Sequence, residues 1–431
     1  MKTLISFFVL TLIMTLHGAN DAAPATTSTD WRDDGANLEI VRRLNEAYRR
    51  IPFSEEYEGV LDDRPLALEW SVGPNLPVAW KGGVAAILGQ EIVLVGGLWM
   101  PGRKNLAYAY NLHNRTYKEI PPPPFETAYT QGAYEGNTLY LVGGRSAGRR
   151  AAALSRATDG SFKWTPLPDL PESEGQGRWL GTVGVVPGKW LLLVGGHPTG
   201  TPFEIRSATT LPDWRLRLDV PDAQWEPMSP YPGSARALMS SGVIRGKLHL
   251  FGGSIADTAL REVYLDLIKD YGLFIGPYKG VHDYRDSYRY DPEANTWQQI
   301  RNLPFGMSGG AGVVLKDRYI LILGSVHINL PRRVGKTDWA RVSSMDAGGK
   351  AKKAVRTGTE PFWTGYDDRI LCYDIEKDNY SRIGVMLYGV GTCPWFSDGK
   401  RLYGFGGEPF HGFNDNTENV LQIGTIQINP R

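Results

Sequence analysis

Residues 87–97 read ILGQEIVLVGG, an apolar run that ends in two glycines. Five similar runs follow along the chain, and they end at Gly144, Gly196, Gly253, Ser325 and Gly407. A run that recurs in this way indicates an array of similar structural units, each stabilised by its neighbours. Because the repeats extend over most of the 431 residues, the pattern favours one large closed array over several separate domains.

The composition is that of an ordinary folded protein, with 42% hydrophobic and 22% charged residues. The 51 glycines and 29 prolines fit a chain of many short strands joined by turns. The formal net charge is only +1, so no overall field attracts nucleic acid or an acidic membrane. We therefore expect no nucleic-acid partner.

The N-terminus has the features of a secretory signal peptide, which we place at residues 1–23. Lys2 precedes an apolar run from Leu4 to Leu16, and small residues follow as far as Ala23. The run is shorter than the ~20 apolar residues that span a bilayer, and no later run is long enough. We expect a secreted or periplasmic protein with no membrane span after cleavage; the alternative is an uncleaved anchor.

Two further segments complete the predicted organisation. Residues 24–60 are expected to form a linker and a short helix, since apolar residues recur at helical spacing between Asn37 and Ile51. This helix either packs on the repeat domain or binds a partner. Residues 61–431 are expected to form the repeat domain itself.

Each repeat has the same internal order: a strand of small residues, a turn, the apolar strand with its glycine pair, and two more strands. Three repeats carry aromatic residues seven positions apart: Tyr110 with Tyr117, Tyr290 with Trp297, and Tyr373 with Tyr380. These features resemble the kelch repeat. The resemblance implies an all-β fold, a six-bladed kelch-type β-propeller with one four-stranded blade for each repeat.

The sixth repeat lacks a fourth strand, whereas Leu66–Ser71 looks like the end of a repeat whose beginning is absent. We therefore predict that this N-terminal strand completes the C-terminal blade and closes the propeller. Two repeats carry long insertions, at about residues 255–286 and 327–366. The first half of the earlier insertion, from Thr258 to Tyr271, is a candidate helix.

Cys372 and Cys393 are the only cysteines, and they lie on strands of two successive repeats. In an exported protein they could form a disulfide, and the alternative is a pair of buried thiols. Both remain open at this point because pairing depends on the distance and direction between the two strands.

The loops that enter the inner strands of such a propeller share one face with the loops that leave the glycine pairs, around the mouth of the central channel. Arginine and aromatic side chains there suit an anionic, ring-shaped ligand. The candidate substrate-binding residues at these positions are Trp80, Lys81, Tyr129, Gln131, Arg145, Arg178, Trp179, His197, Arg236 and His327. For each arginine or tryptophan taken alone, the alternative is a structural role in capping the propeller layers.

The chain also resembles the bacterial N-acetylneuraminate epimerases, or sialic acid mutarotases. The match is best from Tyr288 to Trp297 and from Ser308 to Gly324. The resemblance implies an exported isomerase that acts on a small carbohydrate. It also implies a catalytic glutamate directly after the strand glycine of this blade, followed by an arginine.

The chain departs from the family at that glutamate, because the position is Ser325. Glu408 holds the equivalent position in the last blade, and Arg332 or Arg333 lies near the expected place of the arginine. We therefore take Glu408, Arg332 and Arg333 as the catalytic candidates. Sugar mutarotation needs only a proton donor and a proton acceptor, so no dense catalytic motif is expected.

No cofactor or metal is expected, because zinc-binding spacings and phosphate-binding loops are absent from the sequence. Two functions therefore remain. The first is a sugar mutarotase or epimerase with a small carbohydrate ligand. The alternative is a non-catalytic propeller that serves as a platform for a protein or glycan partner. The sequence does not indicate an oligomeric state.

Overall fold

The computed structural model describes residues 65–100, 105–126, 128–199, 211–256, 281–304, 306–324, 339–345, 351–357, 369–386, 390–408 and 419–428. The predicted signal peptide, linker and N-terminal helix lie outside these residues, as does the candidate helix from Thr258 to Tyr271. Apart from a 3-10 turn at Glu172–Glu174, every regular element in the described ranges is a strand. Within those ranges no helix is long and apolar enough to cross a lipid bilayer.

The strands, in chain order, are β1 (Leu66–Val72), β2 (Ala79–Lys81), β3 (Val84–Leu88), β4 (Glu91–Val95), β5 (Leu98–Met100), β6 (Ala107–Asn111), β7 (Tyr117–Glu119), β8 (Gln131–Glu135), β9 (Thr138–Val142), β10 (Ala151–Arg156), β11 (Phe162–Leu167), β12 (Arg178–Trp179), β13 (Thr182–Val186), β14 (Trp190–Val194), β15 (His197–Pro198), β16 (Trp214–Arg217), β17 (Glu226–Pro227), β18 (Ser240–Ile244), β19 (Lys247–Phe251), β20 (Ser254–Ala256), β21 (Val281–Asp283), β22 (Ser287–Asp291), β23 (Thr296–Ile300), β24 (Ala311–Leu315), β25 (Tyr319–Leu323), β26 (Trp339–Met345), β27 (Ala351–Thr357), β28 (Arg369–Asp374), β29 (Asn379–Val385), β30 (Trp395–Ser397), β31 (Arg401–Phe405) and β32 (Leu421–Ile428).

Among the described residues, six four-stranded sheets form the blades of a propeller. From the inner to the outer strand, blade 1 is β3, β4, β6 and β7, blade 2 is β8 to β11, and blade 3 is β13, β14, β16 and β17. Blade 4 is β18, β19, β22 and β23, blade 5 is β24, β25, β28 and β29, and blade 6 is β30, β31, β32 and β1. The six-bladed all-β fold predicted from the repeats is confirmed.

The inner strands close into a ring, because each of them contacts the inner strand of the next blade. The contacts run from β3 to β8, β13, β18, β24 and β30, and from β30 back to β3. The outer strand of blade 6 is β1, which pairs with β32 from Leu66 opposite Ile428 to Val72 opposite Gln422. The N-terminal strand thus lies where the incomplete first repeat predicts.

The glycine pairs join each blade to the next, as blade 3 shows. Gly195 and Gly196 have φ of 60° and 101°, a region that side chains disfavour. A Cβ on Gly195 would lie 2.6 Å from the carbonyl oxygen of Arg236 in blade 4. A Cβ on Gly196 would lie 2.8 Å from the carbonyl oxygen of Trp179 in its own blade. The N–H of Gly196 donates to the Arg236 carbonyl at 2.9 Å, so the pair permits a close junction between blades.

The spaced aromatic residues are cross-strand neighbours on the two outer strands of their blades. The ring centroids of Tyr290 and Trp297, which are directly opposite each other, are 4.8 Å apart. The Trp297 indole donates to the carbonyl of Ser229 in the preceding blade at 2.9 Å. Trp164 and Trp225 make the corresponding bonds from blades 2 and 3. These rings therefore bind the outer edges of adjacent blades together.

Cys372 and Cys393 are both free thiols, and both are buried. Burial raises the pKa of the Cys393 thiol above its usual value. Of the two alternatives that the sequence left open, the structure therefore contains the buried thiols.

The earlier insertion leaves the propeller after the glycine pair Gly252–Gly253, and the later one follows Gly324 and Ser325. Strands β20 and β21 pair with each other at the two ends of the earlier insertion. Strands β26 and β27 lie within the later insertion and form an antiparallel hairpin. In the described part of the chain, this hairpin is a separate two-stranded sheet.

Candidate active site

The channel mouth is built on a ring of residues with left-handed backbone conformation, one just before each inner strand. They are Gly82, Tyr129, Leu180, Leu238, Gly309 and Thr392, with φ between 48° and 69°. Backbone hydrogen bonds connect five of them across the blade boundaries, at 2.9 Å from Gly82 to Thr392 and at 3.1 Å from Leu238 to Leu180, for example. The mouth therefore has a rigid rim on which side chains are held in fixed positions.

Trp80 lies two positions before this ring and is fully buried. Its indole stacks on Trp99 with ring centroids 4.9 Å apart, and its Nε1–H donates to the carbonyl of Gly96 at 2.7 Å. The carbonyl of Trp80 accepts the N–H of Gly407 from blade 6. The structure thus places this predicted ligand residue in the capping layer between blades 6 and 1.

Arg178 occupies the equivalent position in blade 3 and is also buried. Its guanidinium donates to both carboxylate oxygens of Glu174, at 2.6 and 2.9 Å, and to the carbonyl of Gly195 at 2.9 Å. The same carboxylate accepts the indole N–H of Trp214 at 2.7 Å. Such a bidentate buried pair fixes the arginine within the blade.

Arg236 repeats the arrangement in blade 4. It donates to both oxygens of Asp286, at 2.6 and 2.8 Å, and to the carbonyl of Gly252 at 3.1 Å. Its guanidinium carbon lies 3.8 Å from the ring centroid of Tyr284. Trp80, Arg178 and Arg236 thus donate to the carbonyl of the first glycine in their own blades, which is the kind of contact expected of a residue that caps the propeller layers.

Lys81 and Glu408 form a buried ion pair at the mouth. Lys81 precedes the ring residue of blade 1, and Glu408 follows the glycine pair of blade 6. The Lys81 ammonium donates to Oε1 of Glu408, and each residue is only 3% exposed. Two residues 327 positions apart are therefore brought together by closure of the ring.

Tyr129 connects this pair to the central channel. Its hydroxyl lies 3.5 Å from Oε1 of Glu408, and its ring meets that of Trp179 edge to face with centroids 6.0 Å apart. Tyr129 also lines a cavity of about 390 Å³ within the channel. Gln131, at the start of β8, lines the same cavity and is half-buried.

Trp179 is the centre of the rest of the cluster. It is directly opposite His197 in the pairing of β12 with β15, and the two rings lie 6.2 Å apart. The guanidinium carbon of Arg145 lies 5.6 Å from the Trp179 ring centroid, a cation–π arrangement. Arg145 is exposed, whereas Trp179 and His197 are buried.

The described residues at the mouth differ from blade to blade. Blades 6, 1, 2 and 3 contribute charged, aromatic and imidazole side chains to it. At the position just before the ring residue, blade 4 has Ala237 and blade 5 has Ser308. Directly after its glycine pair, blade 4 has Ser254. Among the described residues at these positions, the acidic, basic and aromatic groups come from blades 6, 1, 2 and 3.

A further buried carboxyl lies behind this half of the rim. Asp213 accepts the N–H of Gly195 at 2.9 Å and is 5% exposed. Burial raises its pKa to about 6, although the Gly195 hydrogen bond and the nearby Arg178 act in the opposite direction. Sequence reasoning missed Glu174, Asp213 and Asp286. Trp80, Arg178 and Arg236 occupy the same position in their repeats. This shared position could have indicated that they form a structural layer and that the two arginines have buried carboxylate partners.

His327, Arg332, Arg333 and Ser325 lie outside the described residues, so the structure does not place them relative to Glu408. Among the residues that it describes, no group of three or more histidine, cysteine, aspartate or glutamate side chains is arranged to hold a metal ion. The chemistry that the described cluster can perform is proton transfer, through a carboxylate, an ammonium and a phenol.

The chain was compared with known proteins through its sequence. No protein-family model matches the chain. A protein named N-acetylneuraminate epimerase from Salmonella typhi is 25% identical over 244 residues, which cover 56% of this chain and 54% of that protein. The chain is similar to the N-acetylneuraminate epimerases.

Two other relatives carry the same name. The one from Salmonella enteritidis PT4 is 27% identical over 244 residues, with the same coverage. The one from Yersinia pestis (strain Pestoides F) is 25% identical over 181 residues, which cover 42% of this chain and 41% of that protein. The chain spans about half the length of the curated relatives it matches or less, so the likeness to the epimerases is distant and partial.

Proposed function

We propose that this protein is a sugar epimerase that interconverts the anomers of a sialic-acid-type sugar acid at the channel mouth. One observation carries the proposal: a buried Lys81–Glu408 pair, approached by Tyr129, lies at the mouth of a propeller similar to proteins named N-acetylneuraminate epimerase. We also propose that the protein acts outside the cytoplasm, on the basis of the apolar run from Leu4 to Leu16.

The chemistry of mutarotation matches this small set of groups. The anomeric hydroxyl must lose a proton and the ring oxygen must gain one, so that the ring opens to a carbonyl and closes again on the other face. A positioned acid or base contributes about 10²–10⁴-fold to such a reaction. Glu408 supplies the carboxylate, and Lys81 supplies a fixed counter-charge within hydrogen-bonding distance.

Glu408 can also replace the glutamate that the epimerase pattern has and this chain lacks. The serine at position 325 removes the carboxylate from blade 5. In blade 6 the residue aligned with Ser325 is Gly407, and Glu408 carries a carboxylate one position later. Its backbone pairs with Gly391, which holds the residue at the rim. Arg332 and Arg333 remain candidates for orienting the ligand from the later insertion.

Recognition of a sugar acid is proposed for the neighbouring half of the rim. Arg145 is exposed and lies over the ring of the buried Trp179, so the indole supports the guanidinium at the mouth. Guanidinium groups bind carboxylates, so Arg145 can bind the acid group of the sugar. His197 adds an imidazole opposite Trp179, and Gln131 adds a polar group to the wall of the channel cavity.

The test is proton NMR of the freshly dissolved α anomer of N-acetylneuraminate. The wild-type protein should bring the anomers to equilibrium faster than buffer, and Glu408→Gln should lower its rate by about 10²–10⁴-fold. Glu91→Gln is the matched control, because Glu91 is a buried carboxylate bound by Lys118 and Arg156 at the other end of β4. The control should retain the wild-type rate. Equilibration at the buffer rate in the presence of wild-type protein would rule out this substrate.

The alternative is a platform that binds a protein or glycan without catalysis. The hairpin of β26 and β27 favours it, because it lies within a long insertion and such insertions tend to be functional. A glycan array with Glu408→Gln distinguishes the two functions. If the protein is a platform, the Glu408→Gln variant should still bind its ligand, and the wild-type protein should leave anomer equilibration at the buffer rate.

A further inference from the structure

The Lys81–Glu408 pair is separated from the channel cavity by a tyrosine. The cavity of about 390 Å³ is lined by Tyr129 and Gln131, but neither Lys81 nor Glu408 is among the described residues that line it. Both members of the pair are buried, whereas Tyr129 is half-buried. A ligand that enters the mouth from the channel side therefore meets the tyrosine before it meets the carboxylate.

The tyrosine is held in this place by its backbone and by two neighbours. Tyr129 has φ of 50°, a conformation that non-glycine residues rarely adopt and that concentrates at functional sites. Its ring fills the space beside Gly82, where an added Cβ would lie 2.6 Å from a ring carbon. On another side the ring meets Trp179. Glycine at position 82 is therefore required for the tyrosine to lie across the boundary between blades 1 and 2.

We infer that Tyr129 is the residue that exchanges the proton with the ligand, and that Glu408, with Lys81 behind it, takes up the phenol proton. The inference rests on the proposed function and assigns the roles within it. The phenol hydroxyl lies 3.5 Å from Oε1 of Glu408, a separation that is typical of a catalytic hydrogen bond before the ligand binds. Lys81 donates to the same oxygen.

The proton balance of this relay is complete. The anomeric hydroxyl of the sugar gives its proton to the Tyr129 oxygen while the phenol proton passes to Oε1 of Glu408. The bond between the anomeric carbon and the ring oxygen breaks, and the carbonyl forms. A water molecule protonates the ring oxygen and becomes hydroxide, which takes this proton back when the ring closes. After rotation about the adjacent carbon–carbon bond the same steps run in reverse on the other face, and each group regains its first state.

Lys81 has a defined part in this arrangement although it does not reach the ligand. Its ammonium and the Glu408 carboxylate form a neutral unit, so a negative charge can be buried beside the tyrosine. We therefore assign Lys81 as a positioning residue that fixes the oxygen facing Tyr129. The other described groups around the tyrosine are Trp179, which Arg145 and His197 flank.

The test compares Tyr129→Phe with the wild type and with Glu408→Gln in the NMR assay of anomer equilibration. Tyr129→Phe keeps the ring that packs on Gly82 and removes only the hydroxyl. We expect kcat to fall by about 10²-fold or more with KM changed less than about threefold, since the hydroxyl acts in the transition state. The double variant should be no slower than the slower single variant, because the two groups act on one proton.

Tyr403→Phe is the matched control, since the Tyr403 hydroxyl also donates to a carboxylate, that of Asp398, at 2.9 Å. It should retain the wild-type kcat. An active wild type with Tyr129→Phe at the wild-type rate overturns the relay and leaves the proposed function intact. Additive losses in the double variant, or a loss confined to KM, overturn it as well. An inactive wild type overturns the proposed function, and the relay with it.

Discussion

Replacement of Asp213 by asparagine should change how the stability of the protein depends on pH. Burial raises the pKa of Asp213 from 3.8 to about 6 in the folded protein. Between these values the folded state binds more protons than the unfolded state, so this group lowers the stability as the pH rises. The full loss is present above about pH 6, and it is absent well below pH 4.

The size of the effect follows from the pKa difference. One pKa unit corresponds to about 1.4 kcal/mol, so the shift to about 6 corresponds to a loss of about 3 kcal/mol at neutral pH. About 2 kcal/mol of this loss develops between about pH 4.5 and pH 7. Asp213→Asn cannot ionise, and its amide oxygen can still accept the N–H of Gly195. The variant should therefore lack this pH-dependent loss.

The assay is urea unfolding of both proteins at a series of pH values, followed by tryptophan fluorescence. Every other titrating group is common to the two proteins, so the difference in their free energies of unfolding isolates position 213. A lost hydrogen bond to the backbone of Tyr231 would displace the difference by a constant amount at every pH. A difference that stays constant within about 0.5 kcal/mol from pH 4.5 to pH 7 would refute the assignment.

Three further changes test the packing between blades. Gly252→Ala should destabilise the protein by at least about 2 kcal/mol in urea unfolding, because the new Cβ would lie 2.4 Å from a carbonyl oxygen of blade 5. The control is Gly246→Ala, which should cost only about 1 kcal/mol because Gly246 has a similar positive φ, 71°, but open space around it. Glu174→Gln should cost about 3 kcal/mol by the same measurement, since it leaves the buried Arg178 without its anionic partner. Trp297→Phe should lower the melting temperature through a loss of about 1–3 kcal/mol, and an unchanged melting temperature would contradict the hydrogen bond between blades.

The fold was predictable because its determinants are local and repeat along the chain. Gly195 and Gly196 must be glycines where two carbonyl oxygens approach within 3 Å of the missing Cβ atoms. The glycine pair occurs five times in the sequence, and the sixth copy keeps only its first glycine, Gly324. Tyr290 and Trp297 are seven positions apart because a short turn brings them opposite each other on neighbouring strands. Each of these patterns follows from geometry within a single blade.

The site was predictable only in part, because its contacts cross the ring. The sequence indicated Lys81 and Glu408 as residues of the mouth, but their pairing depends on how the last blade meets the first. It did not show that Arg178 and Arg236 are bound by Glu174 and Asp286, which lie four and fifty positions away. No fixed spacing relates an arginine to its carboxylate partner in a loop. The partners can therefore be identified only once the course of the backbone is known.

The pairing of β1 with β32 imposes a delay on the newly made chain. Ser71 and Ile423, which are bonded across the two strands, are 352 positions apart. At ribosomal rates of about 5–20 residues per second, the first strand waits roughly 20–70 s for its partner to be synthesised. During that interval β1 is an unpaired strand with hydrogen-bonding groups available to any other chain nearby. Crowding of nascent chains on one messenger RNA should therefore lower the yield of native protein. Slow translation of the last repeat should lower it in the same way.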